Sequence, residues 1–320
     1  MAEERTSRRV AMVIGASSGI GRATARALAA EGWDVVLAAR SQQSQDEAER
    51  PCIAAGARTL VVITEVADQL QVDALLAQAL AHFGHVEAII NTAAAIAYGL
   101  FEDVPAEIFD RAITINLLGS ANVARTALRH YRQVGGGHLV LTGSLLGKIA
   151  VPFMSPYVTG KWGVHGLARI LQIEAKQIPG VHVSLISPGS VNTPAYSQAA
   201  NYTGWEGRPP PPVDPPEKVA AAILGVLRKP ARDRSVGVTN PLVVLGFRLL
   251  PAVFDVLVTP LMKIGGLSRR AIAATTGNVL GPQPAGDQQH GVWGPLGRRT
   301  DSAPAAGRSP ENQAARPGPS

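Results

Sequence analysis

Residues 10–30 read VAMVIGASSGIGRATARALAA, and this stretch decides the fold. The apolar, partly β-branched run from Val10 to Ile14 passes directly into glycines, as a buried parallel strand does by length and flank. The turn Gly15-Ala16-Ser17-Ser18-Gly19-Ile20-Gly21 then opens an alanine-rich helix from Arg22 to Ala30. Strand, glycine turn and helix in this order make a nucleotide site. Glycines let the backbone approach a pyrophosphate, and the free N–H groups and dipole of the helix start favour its charge. An ordinary tight turn carries the same glycines, so the rest of the chain has to decide.

The next apolar run, Asp34 to Ala39, ends in Arg40-Ser41, about 20 residues beyond the glycines, where an acidic residue would hold the ribose hydroxyls of NAD. Arginine suits a 2′-phosphate instead, through charge-assisted hydrogen bonds. The expected cofactor is therefore NADP(H). The alternation continues with a helix near Gln43 to Ala55 interrupted by Pro51, then the strand Thr59 to Ile63. A helix from Asp68 to Phe83 and the strand Val86 to Ile90 follow. After Val104-Pro105 one long helix is expected, carrying Asn116, and then the strand His138 to Leu141. Repeating βα units predict a parallel sheet covered on both faces by helices.

Residues 143–161, GSLLGKIAVPFMSPYVTGK, carry the candidate chemistry. If Tyr157 opens a helix, Lys161 lies one turn on along the same face. A nearby cation favours the phenolate, so Tyr157 is expected to titrate below the usual tyrosine value of about 10. Such a tyrosine can give a proton to a carbonyl oxygen or take one from an alcohol. Ser144, at a strand end, can bind the same oxygen. With five Tyr and six Lys in the chain, chance supplies about 0.1 such pairs. The pair alone is suggestive only.

The chain of 320 residues is long enough for one large domain, and its 46% hydrophobic content argues for a globular body. Its formal charge of +6 rests mostly on scattered arginines, with no basic stripe interleaved with aromatics, so nucleic-acid binding is not expected. Cys52 is the only cysteine, which leaves no internal disulfide and no CxxC metal pair. His82, His85 and His165 lack partners at ligand spacing, and no metal is expected. Met1 to Arg9 is polar and does not read as a signal peptide, so the expected location is the cytoplasm.

Together these residues resemble the short-chain dehydrogenase/reductase family over roughly residues 8–240. The resemblance is carried by the turn at Gly15, Gly19 and Gly21, the Asn91 element, Asn116, the Ser144/Tyr157/Lys161 set, and Pro188-Gly189-Ser190-Val191-Asn192-Thr193. It implies a Rossmann-like, doubly wound sheet of about seven parallel strands. It makes Tyr157 the acid/base and Ser144 the polariser of the substrate oxygen. Lys161 would hold the nicotinamide ribose, and Asn116 would order a water in the proton relay. The cofactor contacts implied are Gly15, Ser17, Ser18, Gly19, Ile20, Gly21, Arg40, Ser41, Glu65, Val66, Asn91 and Ala93. Tyr157 and Lys161 join them, with Pro188, Gly189, Val191 and Thr193 at the nicotinamide end. The chain departs from the family at Ile14 (usually threonine), Glu65 (usually aspartate), Thr92 and Ala94 in Asn91-Thr92-Ala93-Ala94, Gly143 (usually serine) and Thr159-Gly160. Taken singly, Asn116 could equally satisfy a buried backbone group, and Ser144 could be a plain turn residue.

Residues 194–216 read as a loop, the family's substrate lid, with Tyr196, Tyr202 and Trp205 as candidates to touch substrate. Residues 239–267 are apolar but broken by Arg248, Pro251, Asp255, Pro260 and Lys263, too short a run to span a bilayer. They suit a hood over the site, a subunit contact or a membrane-surface helix. The expected layout is a catalytic domain at 8–240, an apolar extension at 241–280 and a disordered Pro/Gly/Ala-rich tail at 281–320. The expected partners are a small-molecule carbonyl or alcohol and further copies of the chain, as a homodimer or homotetramer. A scaffold that only binds the cofactor is the rival reading, but it needs no tuned tyrosine.

Overall fold

A computed structural model of the chain describes residues 8–300. Seven strands lie side by side: β1 (Val10–Ile14), β2 (Asp34–Ala39), β3 (Thr59–Ile63), β4 (Ala88–Asn91), β5 (Gly137–Thr142), β6 (Val181–Pro188) and β7 (Asp233–Val236). Their order across the sheet is β7-β6-β5-β4-β1-β2-β3, and every pairing is parallel. Both faces are buried, and the strand period of two sorts the side chains between them. Val10, Met12 and Ile14 of β1 join one core, and Ala11 and Val13 join the other. This explains why the strands read as continuous apolar runs rather than as alternations.

The first core is covered by α3 (Gln69–Phe83), α4 (Ala106–Ile113), α5 (Gly119–Val134) and α6 (Ser155–Glu174). The second is covered by α1 (Gly19–Ala30), α2 (Gln42–Ala54) and α7 (Pro216–Arg228). Asp68 starts α3, its carboxylate accepting from the backbone N–H of Leu70 and Gln71. Two expectations are corrected here. Pro51 does not break α2, because it lies in the last turn and removes only one ladder bond there. The single long helix after Pro105 is instead two, α4 and α5, joined by a π-helical turn at Thr114–Leu118. The wider turn carries Asn116, and such turns gather at functional sites.

The C-terminal part turns back over the strand ends. Helices α8 (Asn240–Leu249) and α9 (Pro251–Gly265) meet at Leu250, with the rings of Phe247 and Phe254 5.1 Å apart across the joint. The strand Leu267–Ala271 then pairs antiparallel with Trp205–Gly207. Composition predicts disorder from residue 281, yet over 281–300 the chain is fixed. Backbone bonds hold it: Gly19 N donates to Gln288 O at 2.9 Å, Gly291 N to Asn192 O at 3.1 Å, and Val213 N to Pro295 O at 2.9 Å. The buried side chain of Trp293 anchors it too. A Pro/Gly-rich stretch can thus be ordered by surface hydrogen bonds without its own apolar face. Residues 301–320, the rest of the expected tail, lie outside the described residues.

Candidate active site

The strand order reverses between β1 and β4, and the crevice at their carboxyl ends is where open α/β sheets bind ligands. Ile14 is level with Ala38 of β2 and with Asn91 of β4. The turn that follows Ile14 is therefore wedged between two neighbours. Gly15 has φ +84°, and a Cβ there would lie 2.6 Å from Ala93 N. At Gly21 a Cβ would lie 2.0 Å from the Gly15 carbonyl oxygen. Only glycine lets this turn close. Ile14, in place of threonine, brings no hydroxyl to brace the loop. Thr92 supplies one, donating within range of Ile14 O (2.9 Å) and Gly15 O (3.2 Å).

Ser17, Ser18, Gly19 and Ile20 line the cleft beside these glycines. At its far end are Arg40, Ser41, Glu65 and Val66. The Ser41 hydroxyl caps α2, accepting from Ser44 N at 3.3 Å. Glu65 pairs with Arg111 and stands 4.0 Å from Arg40 Nη1. Arg40 Nη2 donates to the Asn278 carbonyl at 2.8 Å, whereas its buried Nη1 has no hydrogen-bond partner. Burial holds this guanidinium below its ordinary pKa. Asn91 does not line the cleft. Its side chain accepts from Ala93 N at 3.2 Å and donates to Ser120 Oγ at 3.1 Å, so it shapes the wall from behind. Pro188, Gly189, Val191 and Thr193 line the other end. The glycine cradle and the Arg40 guanidinium at the far end, with Nη1 making no hydrogen bond, fit a phosphorylated dinucleotide.

Tyr157 stands in the first turn of α6, and Lys161 follows one turn later. Lys161 is 1% exposed, donates from Nζ to Thr142 O at 2.8 Å, and lies 5.6 Å from the Tyr157 ring centroid. Ser144 hydrogen-bonds the Tyr157 hydroxyl. Burial pushes Tyr157 up to about 12, the Ser144 bond opposing it, and pulls Lys161 down to about 8. This corrects the expectation that Tyr157 titrates below its usual value. Loss of hydration outweighs the cation, which sits over the ring and is itself bonded to a carbonyl.

Asn116 does not line the cleft either. Its amide clamps Ala95, donating to Ala95 O at 2.8 Å and accepting from Ala95 N at 3.2 Å. The backbone-satisfying reading of this residue therefore holds for its side chain. Gly160 of α6 packs on it, since a Cβ there would lie 2.9 Å from Asn116 Cβ. His165, which has no partner at ligand spacing in the sequence, packs against the Ser144 backbone. Its Nε2 lies 3.4 Å from Ser144 N and 3.0 Å from Ser144 O, and burial lowers its pKa to about 4, so the ring is neutral. Gly143 makes room for it, because a Cβ there would lie 2.5 Å from Nε2. The missing serine at 143 was the sequence signal for this histidine.

Tyr157 and Ser144 also face a second space, an apolar cavity of about 590 Å³. Ile96, Ile149, Met154 and Tyr196 line it, with Leu242, Val253, Phe254 and Leu257 of α8 and α9 on the outer side. Of the three aromatic lid candidates only Tyr196 is there. Trp205 is 47% exposed on the short strand, and Tyr202 packs on the core beside Gly99. Asn278, Gln283 and Asp287 line the polar cleft and were not foreseen, since Asn278 falls in the expected apolar extension and the other two in the stretch whose composition reads as disorder. Among the described residues no cluster of three or more His, Cys, Asp or Glu could hold a metal ion.

The short chain dehydrogenase family model matches residues 9–202. An uncharacterised oxidoreductase of Bacillus subtilis (strain 168) is 32% identical over 257 residues, 79% of this chain and 72% of that protein. The cis-4-hydroxycyclohexanecarboxylate dehydrogenase of Sinomonas cyclohexanicum is 36% identical over 192 residues, 60% of this chain and 76% of the relative. Among solved structures, the alcohol dehydrogenase of the archaeon Thermococcus sibiricus complexed with 5-hydroxy-NADP superposes with a TM-score of 0.62 at 27% identity. That superposition covers 72% of this chain and 95% of the other. The chain belongs to the short-chain dehydrogenase/reductase family of oxidoreductases.

Proposed function

We propose that the protein is an NADP(H)-dependent oxidoreductase that interconverts a carbonyl and an alcohol on an apolar small molecule. The observation that carries this reading is that Tyr157 and Ser144 line both the polar cleft and the apolar cavity. A substrate in the cavity and a nicotinamide in the cleft would meet at one hydroxyl pair. The cofactor, when bound, supplies or accepts the hydride. In the reducing direction Tyr157, protonated at neutral pH, gives its proton to the carbonyl oxygen while Ser144 donates a hydrogen bond to it. Lys161, buried and charged below about pH 8, favours the phenolate left behind and holds the nicotinamide ribose. Asn116 supports the relay by fixing the Ala95 backbone at the site's edge. Arg40 would take the 2′-phosphate, and the cavity's size and lining favour a compact apolar ketone or its alcohol.

NADPH should bind at least about tenfold more tightly than NADH, since one charge-assisted contact contributes about 1.5–3 kcal/mol. Arg40→Asp should narrow or reverse the preference in a fluorescence titration. Equal affinities in the unmodified protein would sink the cofactor assignment.

A second reading concerns the outside of α8 and α9, where Leu245, Leu249, Val256 and Ile264 are each more than half exposed. An apolar patch of this kind favours contact with another copy of the chain or with a lipid surface. No helix among the described residues is long and apolar enough to cross a membrane. Sedimentation tests the first contact and liposome flotation the second.

A further inference from the structure

The chain beyond Ala271 runs along the mouth of the polar cleft from end to end. Asn278 O accepts from Arg40 Nη2 at 2.8 Å at the far end. Gln288 O accepts from Gly19 N at 2.9 Å in the middle, at the start of α1. Gly291 N donates to Asn192 O at 3.1 Å, and Trp293 N to Asn192 Oδ1 at 3.0 Å, at the nicotinamide end. The segment is docked through Gln198, whose buried side chain donates to Gln283 O at 3.1 Å and to the Asp287 carboxylate at 2.9 Å. With the segment seated, the cleft holds about 190 Å³, below the range of about 300–1,000 Å³ typical of small-molecule sites.

We propose that residues 276–293 are a strap that gates the dinucleotide cleft and positions Arg40 through the Asn278 carbonyl. The inference rests on the reading of the cleft as an NADP(H) site. An N–H has one hydrogen to give. Gly19 N cannot serve both the Gln288 carbonyl and a phosphate oxygen, so the strap's central contact opens when a diphosphate enters. The two end contacts do not compete in this way. Arg40 lines the cleft with Nη2 held by Asn278 and Nη1, beside Glu65 at 4.0 Å, making no hydrogen bond, so the strap fixes where this guanidinium stands. Asp287 adds a carboxylate to the cleft lining, near enough to act electrostatically on Arg40. Bound phosphates would repel it and loosen the strap. The strap is thus a cover whose middle yields to the ligand and whose ends fix it in place, as gating loops do.

The test is stopped-flow binding of NADPH to three proteins: the full chain, Gly277→Val, and a chain ending at Leu280. A Cβ at Gly277 would lie 2.3 Å from Gln198 O, so this variant pries the strap off its dock without altering any residue placed in the catalytic set. The shortened chain keeps Asn278 and loses Gln288. Both variants should raise the association and dissociation rate constants about tenfold or more. In the full chain the emission of Trp293, 2% exposed, should shift on NADPH addition, a signal that Trp293→Phe removes. Rate constants within about twofold of the full chain's in both variants, with no Trp293 response, would overturn the strap. A full chain that binds neither NADPH nor NADH would overturn the reading of the cleft, and the strap with it.

Discussion

Two cavities meet at Tyr157, and they are built on opposite principles. The polar cleft is made by backbone: its turn closes because Gly15, Gly19 and Gly21 lack side chains, and every replacement meets an atom at 3.0 Å or less. The apolar cavity is made by side chains of ordinary aliphatics on α8, α9 and the 144–154 stretch. A site that needs close backbone approach accepts few sequences. A site that needs only apolar volume accepts many. The difference teaches why one half of the chemistry is written in short motifs while the other, which selects the substrate, has no code.

Breaking each side in turn should expose this asymmetry. Gly21→Val forces a Cβ onto the Gly15 carbonyl and should weaken NADPH binding by about 100-fold or more in a fluorescence titration. Tight binding by that variant would mean that the turn is not the phosphate cradle. His165→Ala removes the brace behind Ser144 and should lower kcat about 10- to 100-fold. NADPH affinity should stay within about twofold, because His165 does not line the cleft. An equal loss in both would make it a folding residue only. Leu257→Trp shrinks the cavity from its outer wall. It should raise KM several-fold for bulky ketones and leave small ones near the parent value, with size-blind kinetics telling against the cavity as the substrate site.

The fold was legible because its signals are local. β1, β2 and β3 run from Val10, Asp34 and Thr59 to Ile14, Ala39 and Ile63, the boundaries read from apolar runs that end at glycine, arginine or polar residues. Tyr157 and Lys161 were legible through their helical spacing. Electrostatics was not: spacing puts Lys161 near Tyr157 but says nothing of the desolvation that raises the tyrosine to about 12. His165 was hidden because its partner is a backbone 21 residues away, and its traces are the glycines at 143 and 147 that leave it room. The strap was hidden because its order comes from partners at Arg40, Gly19 and Gln198, far off in sequence, while its own composition resembles a disordered tail.

The central claim is that proton transfer occurs at Tyr157, where the two cavities join, beside a charged Lys161. It is tested most directly by kcat/KM against pH for NADPH-driven reduction of an apolar cyclic ketone, in the parent and in Tyr157→Phe. In the free enzyme Tyr157 keeps its proton up to about 12, while Lys161 loses its own near 8. The parent should therefore be flat at neutral pH and fall as pH rises through about 8, by up to tenfold per unit. Tyr157→Phe should bind NADPH as the parent does and run about 10²–10⁴-fold slower, because one positioned proton donor is gone. A variant that keeps the parent's rate and pH profile would contradict the account.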